Sequence, residues 1–314
     1  MSFSTGTADT RENLLDLFRA FAITSGWTVD RYAASGTGYV LNIHKTGKYS
    51  DVLYASIRSL DYENLPGSMD QYRAGLVVSM STSYDSNKDC VDQPGSPART
   101  TSATDYYASS IHSFTAVSKY WFFSDTDPEF LAMVVMLPDN SFRHLTIFEC
   151  EKLDLTLGQC HGFFATNGMS EDDNTYNLPF QTWSSTNFST DGTSFLRMNA
   201  DERNGWWSPA RSSDLSGSNT TEGRTLGPGF RDKHLLSNCK NQFSYAAALC
   251  PITLYGISLD SDAFPIGYIP NQRIGDNSVF LVDQEYTLGT DVWMGFPART
   301  FSSSSYAIVY RKVA

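Results

Sequence analysis

Residues 119–148 read KYWFFSDTDPEFLAMVVMLPDNSFRHLTIF and hold the densest apolar sequence in the chain. Leu131 to Leu137 is an unbroken apolar run, too short for a core helix and bounded on both sides by turn residues, so it predicts a strand covered on both faces. After it, Pro138 fixes the φ of a turn's second position, and Asp139, Asn140 and Ser141 can bond their own backbone. The chain is therefore expected to reverse into Phe142 to Phe148 as a hairpin. Ser124-Asp125-Thr126-Asp127-Pro128 does the same between Tyr120-Trp121-Phe122-Phe123 and the central run. The whole is a three-strand meander whose residues build core, and none of them is catalytic in type.

Outward from that meander, composition sets the class. A chain of 314 residues can bury a substantial core, either as one elaborated β domain or as two smaller ones. Charged residues make up only 18%, below the ~25% of an average soluble domain, while aromatics reach 14%. Together with abundant Ser, Thr, Asn and Gly, this predicts a mainly β protein: antiparallel sheets in a sandwich-like arrangement, one N-terminal α-helix and long loops. The formal charge is −11 and the 23 Lys and Arg are scattered. Nucleic-acid binding is excluded on that pattern, because counterion release needs a basic patch.

The opening Met-Ser-Phe-Ser-Thr-Gly has no basic or apolar region of a secretory signal, and no apolar run approaches the ~20 residues that span a bilayer. The expectation is synthesis in the cytosol without membrane insertion. Cys90, Cys150, Cys160, Cys239 and Cys250 show no CxxC spacing and leave an odd thiol over. That argues against a disulfide framework or a structural zinc site and for reduced cysteines.

At the start of the chain, Asp9 or Thr10 can cap a helix, with Glu12 three residues after Asp9 as in a capping box. Leu14, Leu17, Phe18 and Phe21 then recur on one face, and Gly26 ends the helix. Residues 27–32 and 39–43 alternate with period two around the loop 33–38, so the helix feeds a β-hairpin on which its apolar stripe packs. Further strands are expected at Val52 to Ile57 and Tyr72 to Met80. Residues 1–110 form an N-terminal helix-and-hairpin region with a long loop and 111–314 a β-rich region, unless the two are one domain.

Two polar stretches, Ser81 to Ser110 and Asn204 to Gly229, are far longer than ordinary connections, which marks them as functional or mobile. Each carries aromatics, Tyr106 and Tyr107 in the first and Trp206 and Trp207 in the second. With little apolar content to offset ~1–2 kcal/mol of backbone entropy per residue, they are expected to order only against other subunits. Cys90, flanked by Asp89 and Asp92 in the first stretch, is the expected exposed thiol able to bridge adjacent subunits. Cys90, Tyr106, Tyr107, Trp206 and Trp207 are thus the candidate partner contacts. Trp183 and Trp293 also lie in or beside polar stretches, where a ring either meets a ligand or covers a satellite core beneath its own loop.

No catalytic, cofactor or metal motif is present: there is no GxGxxG or Walker-type loop, no GxSxG elbow and no HExxH. No cofactor is expected. Cys160-His161 is the only Cys and His neighbour pair, and Glu171-Asp172-Asp173-Asn174 and Asp260-Ser261-Asp262 lack the ligand count and Gly spacing of a calcium loop. All three fit ordinary loop residues.

Three separated segments are similar to one family of virion structural proteins of tailed bacteriophages, associated with the tail or baseplate. The first is TADTRENLLDLFRAFAITSGWTVDRY, from Thr7 to Tyr32. The second is YWFFSDTDPEFLAMVVMLPDNSFRHLTIFECEKL, from Tyr120 to Leu153. The third runs from Gly267-Tyr268-Ile269-Pro270-Asn271-Gln272-Arg273 through Asp291-Val292-Trp293-Met294-Gly295-Phe296-Pro297 to Tyr306-Ala307-Ile308-Val309-Tyr310-Arg311. The resemblance implies a helix introducing a β domain, self-association, and attachment to other virion proteins of the tail, baseplate or neck. It also implies residence in the virion after assembly in the host bacterial cytoplasm, and no enzymatic activity. The alternatives are a tail module whose Trp-rich loops bind host-surface glycan, and a carbohydrate-cleaving enzyme.

Overall fold

The computed structural model describes residues 2–36, 38–49, 51–60, 75–96, 109–112, 116–149, 151–152, 159–166, 194–199, 205–207, 250–257, 263–276, 280–298 and 306–312. Among these residues it is mainly β, with three antiparallel sheets and a single α-helix near the N-terminus. The expected meander is the middle of the largest sheet. Strands β7 (Val117–Thr126), β8 (Glu129–Met136) and β9 (Phe142–Glu149) pair in register, with Trp121 opposite Val134 and Val134 opposite His144. Leu131, Ala132, Met133, Val134 and Val135 are each 0% exposed, so both faces of β8 are covered, as the unbroken run requires. The second turn is as expected: Leu137 N–H donates to Ser141 O, and Asp139 accepts from both Ser141 N–H and Ser141 Oγ. Hydrogen bonding from Ser141 holds the Asp139 carboxyl below its usual range.

This central sheet has seven strands in the order β1-β7-β8-β9-β11-β12-β13, adding β1 (Ser2–Ala8), β11 (Gln159–Thr166), β12 (Ser194–Asn199) and β13 (Gly205–Trp207). The second sheet is β2 (Thr28–Ser35), β3 (Gly38–Thr46), β4 (Val52–Leu60), β5 (Gly75–Ser81) and β6 (Ser109–His112), in chain order. The third has the order β10-β15-β18-β17-β16, from β10 (Glu151–Lys152), β15 (Ala263–Asp276), β16 (Glu285–Leu288), β17 (Asp291–Ala298) and β18 (Tyr306–Lys312). Here β14 (Cys250–Ile257) pairs with β15.

The helix α1 (Arg11–Thr24) is capped by Thr10, whose hydroxyl accepts from Asn13 N–H at 3.0 Å, and Gly26 follows it at φ +85. The expected Asp9 and Glu12 box is not what forms. Asn13 Oδ1 reaches back to Asp9 N–H, and Glu12 pairs with Arg11. Leu14, Leu15, Phe18, Phe21 and Ala22 are buried against Phe122, Leu131, Met133 and Val135 of the central sheet and Leu41, Ile43, Ala55 and Ile57 of the second. At ~1.5–3 kcal/mol for each large side chain fully buried, this cluster dominates the fold's stability.

The opposite face of the central sheet is aromatic. Trp121 meets Phe296 edge-on at 4.9 Å, and Phe123 stacks on Tyr310 at 5.0 Å, so the third sheet packs here. The molecule is thus layered, with the second sheet and helix on one side of the central sheet and the third sheet on the other. Trp293 belongs to a satellite core with Phe280, Ala307 and Val309, covered by the segment 280–288, and is 5% exposed. The ring covers its own loop's core and is not presented to a ligand.

Candidate functional site

The structure corrects the expected exposure of Cys90 and the reading of residues 81–96, the described start of the first long stretch, as an arm. Residues 81–96 are not an arm. They fold back over the outer face of the second sheet, and the Cys90 side chain is 1% exposed. Asp89 caps the short 3-10 turn Cys90–Asp92 by accepting from Cys90 N–H at 2.6 Å, and the thiol donates to Ser56 O at 3.2 Å. Burial, then the neighbouring Asp89 charge, pushes the thiol's pKa well up, so it is an inert core thiol and not an exposed bridging one.

What orders a segment so poor in apolar residues is Gln93, 2% exposed. Its amide Nε2 donates to Asp85 O, Lys88 O and Asp89 O, while its Oε1 accepts from Asp85 N–H at 2.8 Å. One buried amide therefore satisfies backbone groups that would otherwise each carry a desolvation cost. The cover is pinned from beneath by Arg58, which pairs with Asp89 at 2.6 Å, and by Arg31, which donates to Ser86 O and Lys88 O.

Of the remaining candidates, Tyr106 and Tyr107 lie outside the described residues, as does 208–229. Trp206 and Trp207 fall on β13, an edge strand of the central sheet, opposite Arg197 and Leu196. The second stretch thus begins as sheet and not as an irregular arm. Cys90 thus lies in a turn over the second sheet, while the two tryptophans fall on a strand of the central one.

Two buried polar joints tie the layers and were not visible in the sequence. On the side of the second sheet, the Glu149 carboxylate accepts from Lys48 N–H at 2.7 Å and Tyr49 N–H at 2.9 Å, in the turn between β3 and β4. A Cβ at Gly47 would run into Glu149 Oε1, so any other residue there has to displace the carboxyl from the turn. Beside it, Glu129 is paired with Lys45 at 2.7 Å, and Lys45 also donates to Ser25 O. Burial raises the Glu129 pKa; the Lys45 ammonium pulls it back in part.

On the side of the third sheet, His144 is 0% exposed and bridges two partners. Its Nε2 lies 3.2 Å from Pro297 O, which can only accept, so Nε2 carries the proton and Nδ1 accepts from the Tyr310 hydroxyl at 2.8 Å. Gln272 Nε2 donates to Thr146 Oγ1 at 2.8 Å in the same layer, and Tyr310 also meets both of these side chains. Desolvation lowers the His144 pKa to about 4, with the Arg143 charge adding to it, and raises that of Tyr310. Both groups are neutral and closed to solvent, and neither is placed to reach a substrate.

One half-exposed dyad faces outward: His44 Nδ1 lies 2.9 and 2.8 Å from the two Asp30 oxygens, with Asp30 on a bulge of β2. Asp30 orients the ring, and no hydroxyl or thiol among the described residues is hydrogen-bonded to it. No group of three or more His, Cys, Asp and Glu among the described residues is set to hold a metal ion. No described helix is long and apolar enough to cross a membrane. Comparison with known proteins finds no family model and no curated protein that matches the chain.

What the described surface does offer is sheet edge. Strand β2 is interrupted by its bulge, carries Asp30 and Arg31, and has the Arg19 guanidinium 4.7 Å from the Tyr32 ring centre. Burial of the Tyr32 hydroxyl, then the nearby Asp16 charge, pushes its pKa up to about 12. Strand β16 has four residues, and its Glu285 is held by Lys312. Strand β1 is longer than β16 and uncharged, and its one register shift against β7 lies near its end, between Gly6 and Ala8. It is seven residues without charge or proline, with Thr5 and Thr7 exposed, and its hydrogen bonds among the described residues run only to β7.

Proposed function

We propose that the chain is a structural subunit of a tailed-phage particle, acting by self-association and by attachment to neighbouring tail, baseplate or neck proteins, without catalysing a reaction. The observation that supports this reading is the convergence of the three segments that carry the resemblance. The first supplies α1 and β2, the second β7 to β9, and the third parts of β15, β17 and β18. Phe18 of the first meets Phe122 of the second at 5.1 Å, and Phe123 of the second stacks on Tyr310 of the third. Residues more than a hundred positions apart in the chain, Phe18 with Phe122 and Phe123 with Tyr310, thus pack on the two faces of one sheet, as a shared fold requires. The acidic, charge-poor surface suits a part that joins other proteins more than one that grips nucleic acid.

The test is the solution mass of the purified chain together with its behaviour on polysaccharide. A subunit forms defined oligomers by light scattering and releases no reducing ends from capsular or cell-wall glycan. A monomer at all concentrations that cleaves such glycan overturns the proposal in favour of an enzyme, and a monomer that binds a glycan array without cleavage overturns it in favour of a host-surface module.

A further inference from the structure

We infer that β1 (Ser2–Ala8) is the self-association edge: two copies of the chain pair β1 against β1 antiparallel about a two-fold axis, joining their central sheets into one. This rests on the reading of the chain as a self-associating subunit and names where the contact lies. An edge strand presents a row of unpaired N–H and C=O groups that templates another strand, and proteins ordinarily blunt it with charge, proline, a bulge or brevity. Among edge strands whose side chains are described, β2 is blunted by its bulge and by Asp30 and Arg31, and β16 by its length and Glu285.

Strand β1 is long, and Ser2 to Gly6 pair without interruption with Ser124 to Tyr120, the register shifting only between Gly6 and Ala8. Its one large side chain, Phe3, is turned to the sheet, 5.3 Å from Phe123, with Lys312 over its ring at 4.4 Å. Rigidity is therefore supplied from inside, and the outward backbone groups of β1 meet no partner among the described residues.

Charge selects a second copy as the occupant. A chain of net charge −11 repels its own copies, so two copies approach at least cost across an uncharged surface, and β1 is uncharged throughout. An antiparallel pair about a two-fold is also self-complementary: Ser and Thr of one strand face Ser and Thr of the other, and both sets of backbone groups are satisfied together. The contact is small, which places the isolated pair at the weak end of protein association.

The test uses the full chain: light scattering over a concentration series, with hydrogen exchange on the same samples. The mass rises from 34.9 kDa toward twice that value, and amides of residues 2–8 become protected as it rises. Thr5→Lys with Thr7→Lys, at exposed positions, puts like charges across the pair and weakens dimerisation by about tenfold or more, while thermal unfolding of the dilute chain is unchanged. Self-association undiminished in the double variant, with no concentration-dependent protection of residues 2–8 in the wild type, removes β1 as the edge and leaves the subunit reading standing. A chain that stays monomeric throughout removes both.

Discussion

The two faces of the central sheet are held by different physics. Toward α1 and the second sheet, Phe122, Leu131, Met133, Val135, Leu145 and Ile147 are packed against aliphatic and aromatic side chains, and polar groups sit at the end of the layer, where Glu129 and Glu149 meet Lys45 and the 47–49 turn. Toward the third sheet, a histidine, a threonine, a glutamine and a tyrosine lie within the aromatic layer and hydrogen-bond to one another. Area holds the first joint and tolerates sliding until the end groups fix it. Directional hydrogen bonds fix the second joint's register, because each misplaced donor in that dry layer would lose its partner.

The largest effect comes from placing a charge in β8, between the two joints. Val134→Asp and Val135→Asp, on opposite faces, each leave no soluble folded protein, because an unpaired buried charge costs several kcal/mol against a total stability of ~5–15 kcal/mol. Soluble variants at either site, seen as a cooperative unfolding transition, would show that face to be open.

Phe122→Ala, which empties the ring contacts with Phe18, Phe21 and Tyr120, is expected to cost about 3–5 kcal/mol in denaturant unfolding. A cost near 1 kcal/mol would mean that the first joint is not held by area. Gly47→Ala is smaller, about 1–3 kcal/mol, because moving the Glu149 carboxyl strips Lys48 and Tyr49 N–H of their acceptor. Crystallography of the variant would show the turn displaced, and an unmoved turn would deny the clamp.

The smallest effect at neutral pH is that of Glu129→Gln, and its sign on acidification sharpens the comparison. Because the folded pKa of Glu129 is raised, its contribution to stability is present at low pH and is lost as pH rises through that value. Removing the carboxyl therefore makes the chain lose more stability than the wild type as pH falls, a difference read from chemical denaturation at pH 7 and pH 4.

How much of this was legible in the sequence depended on whether a residue's partner was near it in the chain. The meander was legible because β8 is apolar at both parities and its turns carry Pro138 and Asp139. The helix was legible because its stripe has a clear period and Thr10 is one of its two candidate caps, although Asn13 and not Glu12 reaches back to Asp9. Strand β1 was not, since Ser-Phe-Ser-Thr-Gly-Thr-Ala has no apolar alternation and is a strand only because β7 lies beside it. The cover over the second sheet was misread for the same kind of reason. Its order comes from one buried amide, Gln93, and low apolar content does not reveal that, so Cys90 was placed outside when it is inside. His144 and Tyr310 are 166 residues apart, a pairing no local pattern announces.

The most direct test of the two-joint account is the pH dependence of unfolding in the wild type and in His144→Gln, which keeps a donor and an acceptor but cannot titrate. His144 has a folded pKa of about 4, below its ordinary 6.5, so the unfolded chain binds the proton first and stability falls as pH drops from about 6.5 to 4. That gap corresponds to about 3 kcal/mol of lost stability. The account predicts that the loss is present in the wild type and largely absent in His144→Gln; identical pH profiles for the two proteins would contradict it.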